Sequence, residues 1–221
     1  MSAPRFDRLA PLYATLEAVS FGGSLQWCRT ALLADVADAQ RALVLGEGDG
    51  RYLAAFLAAN PVAKVTVIDG SAAMVALARR RAGAAADRVT WHVADARHFD
   101  PPGPPYDLIV TNFFLDCFDA GELAALVAKL AGQLAPGGRW VVGDFRVPPG
   151  RLRGLLARGA LTGMYAFFKL TTRLPAGRLV DPDPLLRAAG MTPVRERSRL
   201  GGFLAATLWR RPAPPAAGDS V

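Results

Sequence analysis

The sequence predicts an α/β fold, a doubly wound, seven-stranded, mostly parallel sheet that ends in a C-terminal antiparallel hairpin. Three observations carry this reading. Short apolar runs such as Ala42-Leu43-Val44-Leu45, Val65-Thr66-Val67-Ile68 and Leu108-Ile109-Val110 alternate with helical patterns, as expected for parallel strands buried on both faces and joined by crossover helices. The first run breaks into Gly46-Glu47-Gly48-Asp49-Gly50, three alternating glycines between a strand and a helix. The last two strand-like segments, 192–199 and 203–210, meet at Gly201-Gly202 and read as a hairpin.

Taken in order, residues 6 to about 36 carry helical apolar spacing (Leu9, Leu12, Leu16, Val19, Leu25, Leu32, Leu33) broken at Gly22-Gly23. Strand one is 42–45, and a helix follows over 52–59. Pro61 restarts the chain before strand two, which closes on Asp69. Ser71 is placed to cap a helix over 72–81 with Met74, Val75, Leu77 and Ala78 on its apolar face. Strand three, from Val89, leads into Asp95. A proline-rich loop, 101–105, precedes strand four at 106–111. A helix over 121–134 stops at Pro136-Gly137-Gly138, and strand five follows at 139–144. A short helix, 182–189, leads to the hairpin.

The 221 residues suit one domain, 1–211, with a helical cap at 1–38, a lid at 146–178 and a disordered Pro/Ala-rich tail at 212–221. No apolar stretch reaches the roughly twenty residues needed to span a bilayer. The N-terminus lacks the plan of a secretory signal, so a soluble, cytoplasmic enzyme is the expectation. Cys28 and Cys117 have no metal-ligand spacing and read as buried thiols; no metal site is expected. The net charge of +7 rests on scattered arginines, with Lys64, Lys129 and Lys169 the lysines. No nucleic-acid partner is expected from that distribution.

Chemistry concentrates at three strand ends. The glycine turn lets a ligand lie against the main chain, and the following helix presents unpaired N–H groups to it. A carboxylate at Asp69, about twenty residues past the turn, suits the two hydroxyls of a ribose. Asp95 suits an exocyclic adenine amine. Together they describe an adenosine site. Each feature alone has a structural reading, since glycine turns also let a helix pack on a strand and Asp69 suits a turn. Their order on successive strands favours the ligand.

Leu45-Gly46-Glu47-Gly48-Asp49-Gly50, Val67-Ile68-Asp69-Gly70-Ser71, Ala94-Asp95-Ala96, Tyr106-Asp107-Leu108-Ile109 and Leu134-Ala135-Pro136-Gly137-Gly138 resemble the motifs of the class I S-adenosylmethionine-dependent methyltransferases, over most of 40–210. The resemblance implies their Rossmann-like fold, S-adenosyl-L-methionine as cofactor and methyl transfer to a small-molecule acceptor. It implies a cofactor site at Gly46, Glu47, Gly48, Asp49, Gly50, Asp69, Gly70, Ser71, Met74, Asp95, Ala96 and Asn112. Many members carry an acid two positions before the first glycine, where this chain has Val44. Glu47 or Asp49 is then the candidate for the ligand's ammonium group. Phe6-Asp7-Arg8-Leu9-Ala10-Pro11-Leu12-Tyr13 and 164–172 are partly similar to the ubiquinone and menaquinone biosynthesis methyltransferases, although Ala14 follows Tyr13 where those have Asp.

Methyl transfer is an in-line displacement that rests chiefly on alignment and exclusion of water, with a base where the acceptor is a phenol or ring carbon. Candidate bases are Asp116, Asp144, Tyr165 and, more weakly, His98. Each has a structural alternative: a helix cap for Asp116, a loop contact for Asp144, an apolar wall for Tyr165. Asn112-Phe113-Phe114-Leu115 lacks the two prolines that amino-methylating relatives carry there. An oxygen or carbon of an aromatic, lipophilic acceptor is therefore preferred, in a pocket from Tyr13, Phe113, Phe114, Phe118, Tyr165, Phe167 and Phe168. Residues 151–173, mixed basic and apolar, suit an anionic membrane surface, but a lid helix with solvated arginines is favoured. Competing readings are an aminopropyltransferase-like enzyme and a nonenzymatic cofactor-binding regulator or assembly protein.

Overall fold

A computed structural model describes residues 23–103, 105–148 and 179–213, with 150, 154, 155, 157, 159 and 162. Its strands are β1 (Arg41–Leu45), β2 (Lys64–Asp69), β3 (Val89–Val93), β4 (Tyr106–Asn112), β5 (Leu134–Phe145), β6 (Thr192–Arg199) and β7 (Leu204–Arg210). They form one seven-stranded sheet in the order β3-β2-β1-β4-β5-β7-β6. The first five strands pair in parallel, while β7 is antiparallel to both β5 and β6. This is the doubly wound, Rossmann-like sheet with the terminal hairpin. Strand order reverses between β1 and β4, which opens a crevice at their carboxyl ends where such sheets take ligands.

The helices are α1 (Ser24–Thr30), α2 (Arg51–Ala59), α3 (Ala72–Ala82), α4 (Ala120–Gln133) and α5 (Asp183–Ala188). Leu25 and Cys28 of α1 and Tyr52, Leu53, Phe56 and Leu57 of α2 pack on Val44, Val67, Val110 and Val141 on one sheet face. Leu123, Leu126, Val127 and Leu130 of α4 pack on Leu43, Ile109, Trp140 and Trp209 on the other. Their spacing marks one helical face, and burying those four α4 side chains contributes on the order of 10 kcal/mol. Asp119 starts α4 with a capping box: its carboxylate accepts from the Gly121 and Glu122 N–H groups at 2.9 Å, and Glu122 reaches back to the Asp119 N–H. Ser71 caps α3, its hydroxyl accepting from the Met74 N–H at 3.2 Å.

Several local expectations need correction. β5 begins at Leu134, directly after α4, rather than at Arg139. Leu134 already pairs with Tyr106 before the register shifts to Leu108 opposite Arg139, so Pro136-Gly137-Gly138 forms an irregularity within the strand. β3 ends at Val93, two residues short of Asp95. Residues 83–88 form a 3-10 turn where none was expected. Within the N-terminal cap, the described residues form α1 and a 3-10 turn over Leu33–Val36.

Candidate functional site

The carboxyl ends of β1, β2 and β4 converge on the glycine turn. Gly46, Gly48 and Gly50 take φ values of 63°, 64° and 87°. Close approach fixes two of them. A Cβ on Gly50 would stand 2.5 Å from the Ala78 Cα of α3, and a Cβ on Gly46 would run into the Phe114 ring. The Gly46 N–H donates to the Ile68 carbonyl at 2.9 Å, which ties the turn to β2. Asp69 binds both sides of the crevice: Oδ2 accepts from the Gly48 N–H and Oδ1 from the Ser71 N–H, each at 2.9 Å. A ligand reaching Asp69 meets a half-buried carboxylate whose orientation is already set.

The other acids of this region are engaged. Glu47 is buried, with Oε1 accepting from the Leu53 N–H at 2.8 Å. Burial, opposed by that hydrogen bond and by the positive charge of Arg29, pushes its carboxyl up to about 8. Asp49 points to two guanidinium groups, Arg51 at 3.0 Å and Arg81 at 2.9 Å. Asp95 accepts from the Arg97 backbone N–H at 3.0 Å and from the Arg97 guanidinium down to 2.6 Å. Arg97 also reaches Glu122 at the start of α4 at 2.5 Å. The Arg97 hydrogen bonds hold the Asp95 carboxyl below the ordinary range.

At the ends of β4 and β5 the polar groups are buried more deeply. Asn112 is 9% exposed, and both atoms of its amide are buried without a hydrogen-bond partner. Its Oδ1 lies over the α-carbon of Gly143, where a Cβ would collide with it. Asp116 and Asp144 are also buried. Desolvation, then the charge of Asp116, pushes the Asp144 carboxyl well above the ordinary range. Its Oδ1 accepts from the Phe145 N–H at 2.8 Å. Phe113 takes a left-handed φ of 52° and sits between the Phe145 ring, at 5.1 Å, and the Arg29 guanidinium, at 5.2 Å. Phe114 turns the other way, edge-on to Phe118 at 5.1 Å.

A family model described as a methyltransferase domain matches residues 42–138, from β1 into β5. The demethylmenaquinone methyltransferase of Thermus thermophilus is 36% identical over 155 residues, 69% of this chain and 70% of that protein. The chain belongs to the class I S-adenosylmethionine-dependent methyltransferases. The ubiquinone/menaquinone biosynthesis C-methyltransferase of Paracoccus denitrificans is 30% identical over 148 residues, 65% of this chain and 58% of that protein. An O-methyltransferase family protein of Burkholderia thailandensis shares the fold, with a TM-score of 0.65 at 22% identity, over 94% of this chain and 58% of that one.

S-adenosylmethionine is the cofactor of this methyltransferase. The residues present fit it on two counts: a glycine turn with main-chain access beside an oriented Asp69, and a buried Asn112 amide that a polar ligand group would satisfy. Gly70 and Ser71 continue from Asp69 into the cap of α3, where Met74 is buried. Ala96 is buried beside Asp95. Among the acceptor-side candidates, the structure brings Phe114 and Phe118 together and sets Phe113 apart under α1. His98 is exposed. Tyr13, Tyr165, Phe167 and Phe168, most of the lid and the tail beyond Ala213 lie outside the described residues. Cys28 is buried and free, its thiol pushed up to about 12 by desolvation, and Cys117 is half-buried and free.

Sequence reasoning missed the arginines. Arg97 stands two residues after Asp95, a spacing that allows the bidentate contact and was open to reading. Arg81 reaches Asp49 from the far end of α3, and Arg29 reaches Phe113 from α1. Those two depend on tertiary packing and leave no local signal.

Proposed function

We propose that this methyltransferase moves the methyl group of S-adenosylmethionine to an oxygen or carbon of a small aromatic, lipophilic acceptor of hydroquinone type. The observation that carries the reading is the edge-to-face pair Phe114–Phe118, with Phe114 pressed against Gly46 of the cofactor turn. Such a pair offers an aromatic ring a wall beside the cofactor turn. The names of the relatives from Thermus thermophilus and Paracoccus denitrificans support an acceptor of this kind.

The bound cofactor supplies an electrophilic methyl group on a sulfonium. The chain supplies alignment: Asp69 and the glycine turn fix one end of the site, and the aromatic pair excludes water from the other. Burial, then the charge of Asp116, favours the protonated form of Asp144. That leaves Asp116 as the candidate to accept the proton of an acceptor hydroxyl, with Asp144 donating a hydrogen bond to the resulting oxyanion. Methyl transfer from labelled cofactor to a panel of hydroquinones, phenols and small carboxylic acids tests the proposal. Labelled product from the hydroquinones and phenols is expected. Labelling of the carboxylic acids alone would contradict it.

A further inference from the structure

The connection from β3 to β4 has no helix among its described residues, so part of one face of β2 and β3 lacks the cover that α4 gives to β4. Parallel register determines what this bare face carries. Arg41 of β1 stands beside Lys64 of β2; one pleat on, Leu43, Thr66 and Thr90 form a row across β1, β2 and β3. Side chains two apart along a strand share a face. Arg41, Lys64, Thr66, Thr90, Gly103 and Tyr106 there line a pocket of about 170 Å³.

Several of its walls are fixed. The Tyr106 ring is buried, and its hydroxyl lies 2.9 Å from the Pro102 carbonyl and 3.2 Å from the Thr66 hydroxyl. The Arg41 guanidinium rests over that ring at 5.7 Å. A Cβ on Gly103, which has a φ of 94°, would come within 2.9 Å of its terminal nitrogen. Among the described residues, no carboxylate lines the pocket. The nearby Asp107 accepts from the Gln40 and Arg41 backbone N–H groups at 2.7 and 2.9 Å. Among the described residues, no carboxylate pairs with the Lys64 ammonium group.

Arg41, Lys64 and Thr90 thus border an open space that would hold on the order of five waters. That volume and donor set match one tetrahedral oxyanion better than a flat or apolar ligand. We infer that this pocket binds the phosphate group of a small ligand, at a site separate from methyl transfer. Arg41 and Lys64 open the strands whose far ends lead to Gly46 and Asp69, roughly 16 Å away at about 3.3 Å per residue. The phosphate site therefore lies at the opposite end of these strands from the cofactor.

Calorimetric titration of inorganic phosphate and of glycerol phosphate, at ionic strength matched with sodium chloride, tests the inference on the full chain. Saturable binding is expected, weakened about tenfold by Lys64→Gln and lost in Arg41→Gln/Lys64→Gln, with Asp69→Asn unchanged. Lys64 is exposed, so the single variant keeps the fold and the test stands even where the double variant unfolds. Tighter binding of glycerol phosphate identifies a phosphomonoester as the ligand; tighter binding of inorganic phosphate identifies the free ion. Non-saturable heats, or equal affinity in wild type and Lys64→Gln, would overturn the inference. So would competition by S-adenosylmethionine.

Discussion

Glu47→Gln removes an ionisation from beneath the cofactor turn while keeping an acceptor for the Leu53 N–H. An unfolded glutamate loses its proton near pH 4.5, whereas in the fold Glu47 keeps it to about pH 8. Desolvation is the main cause, and Asp49 and Asp69 add to it. Between those two values the folded chain binds more protons than the unfolded chain, so stability falls as pH rises through the window. At about 1.4 kcal/mol per pH unit, the interval from pH 4.5 to pH 7 corresponds to a loss of about 3 kcal/mol from this one group. The Gln variant carries no such loss. It is therefore expected to be more stable than wild type by about 3 kcal/mol at pH 7, and by little at pH 5. Guanidinium denaturation of both proteins at pH 5, 6, 7 and 8 measures the difference. A difference that stays constant across that range would refute the reasoning, because it would place the Glu47 proton loss in the same pH range folded and unfolded.

Gly50→Ala puts a Cβ 2.5 Å from the Ala78 Cα at a φ of 87°. A loss of about 2–5 kcal/mol is expected in thermal unfolding, with weakened cofactor binding. Gly46→Ala collides with the Phe114 ring. Its destabilisation in a Phe114→Ala background is expected to shrink by at least about 1 kcal/mol, a coupling read from a double-mutant cycle. Thr111→Val leaves the buried Trp140 indole N–H, now 3.0 Å from the Thr111 hydroxyl, without its acceptor. About 1–3 kcal/mol should be lost in denaturant unfolding. Cys28, buried and pushed up to about 12, should resist iodoacetamide at pH 8 in the folded chain and react once it is unfolded.

The sheet was readable because its signals are local. Largely apolar runs at Leu43 to Leu45, Val65 to Ile68 and Leu108 to Val110 mark strands covered by packing, and the structure buries all of those positions. The cap at Ser71 and the stop before Gly201-Gly202 were legible for the same reason. The early start of β5 was not, because Pro136-Gly137-Gly138 has the composition of a turn and only pairing with Tyr106 draws Leu134 into the sheet. Nor was the exposure of every residue of β6, which follows from its place at the sheet edge. At the site, the glycine spacing and Asp69 stood out, since both belong to one short strand-turn-helix unit. The partners of Asp49 come in part from α3, and Glu47 is buried with its carboxyl on the Leu53 N–H of α2. Charge at those two positions was visible in the sequence, but its pairing and protonation were not.

The central claim is that the glycine turn and Asp69 hold S-adenosylmethionine. Calorimetric titration of the cofactor into wild type and Asp69→Asn tests it most directly. Saturable micromolar binding by wild type is predicted, weakened about tenfold or more when the charge-assisted hydrogen bonds of Asp69 are reduced to neutral ones. No binding by folded wild type, or equal affinity in the two proteins, would contradict the account.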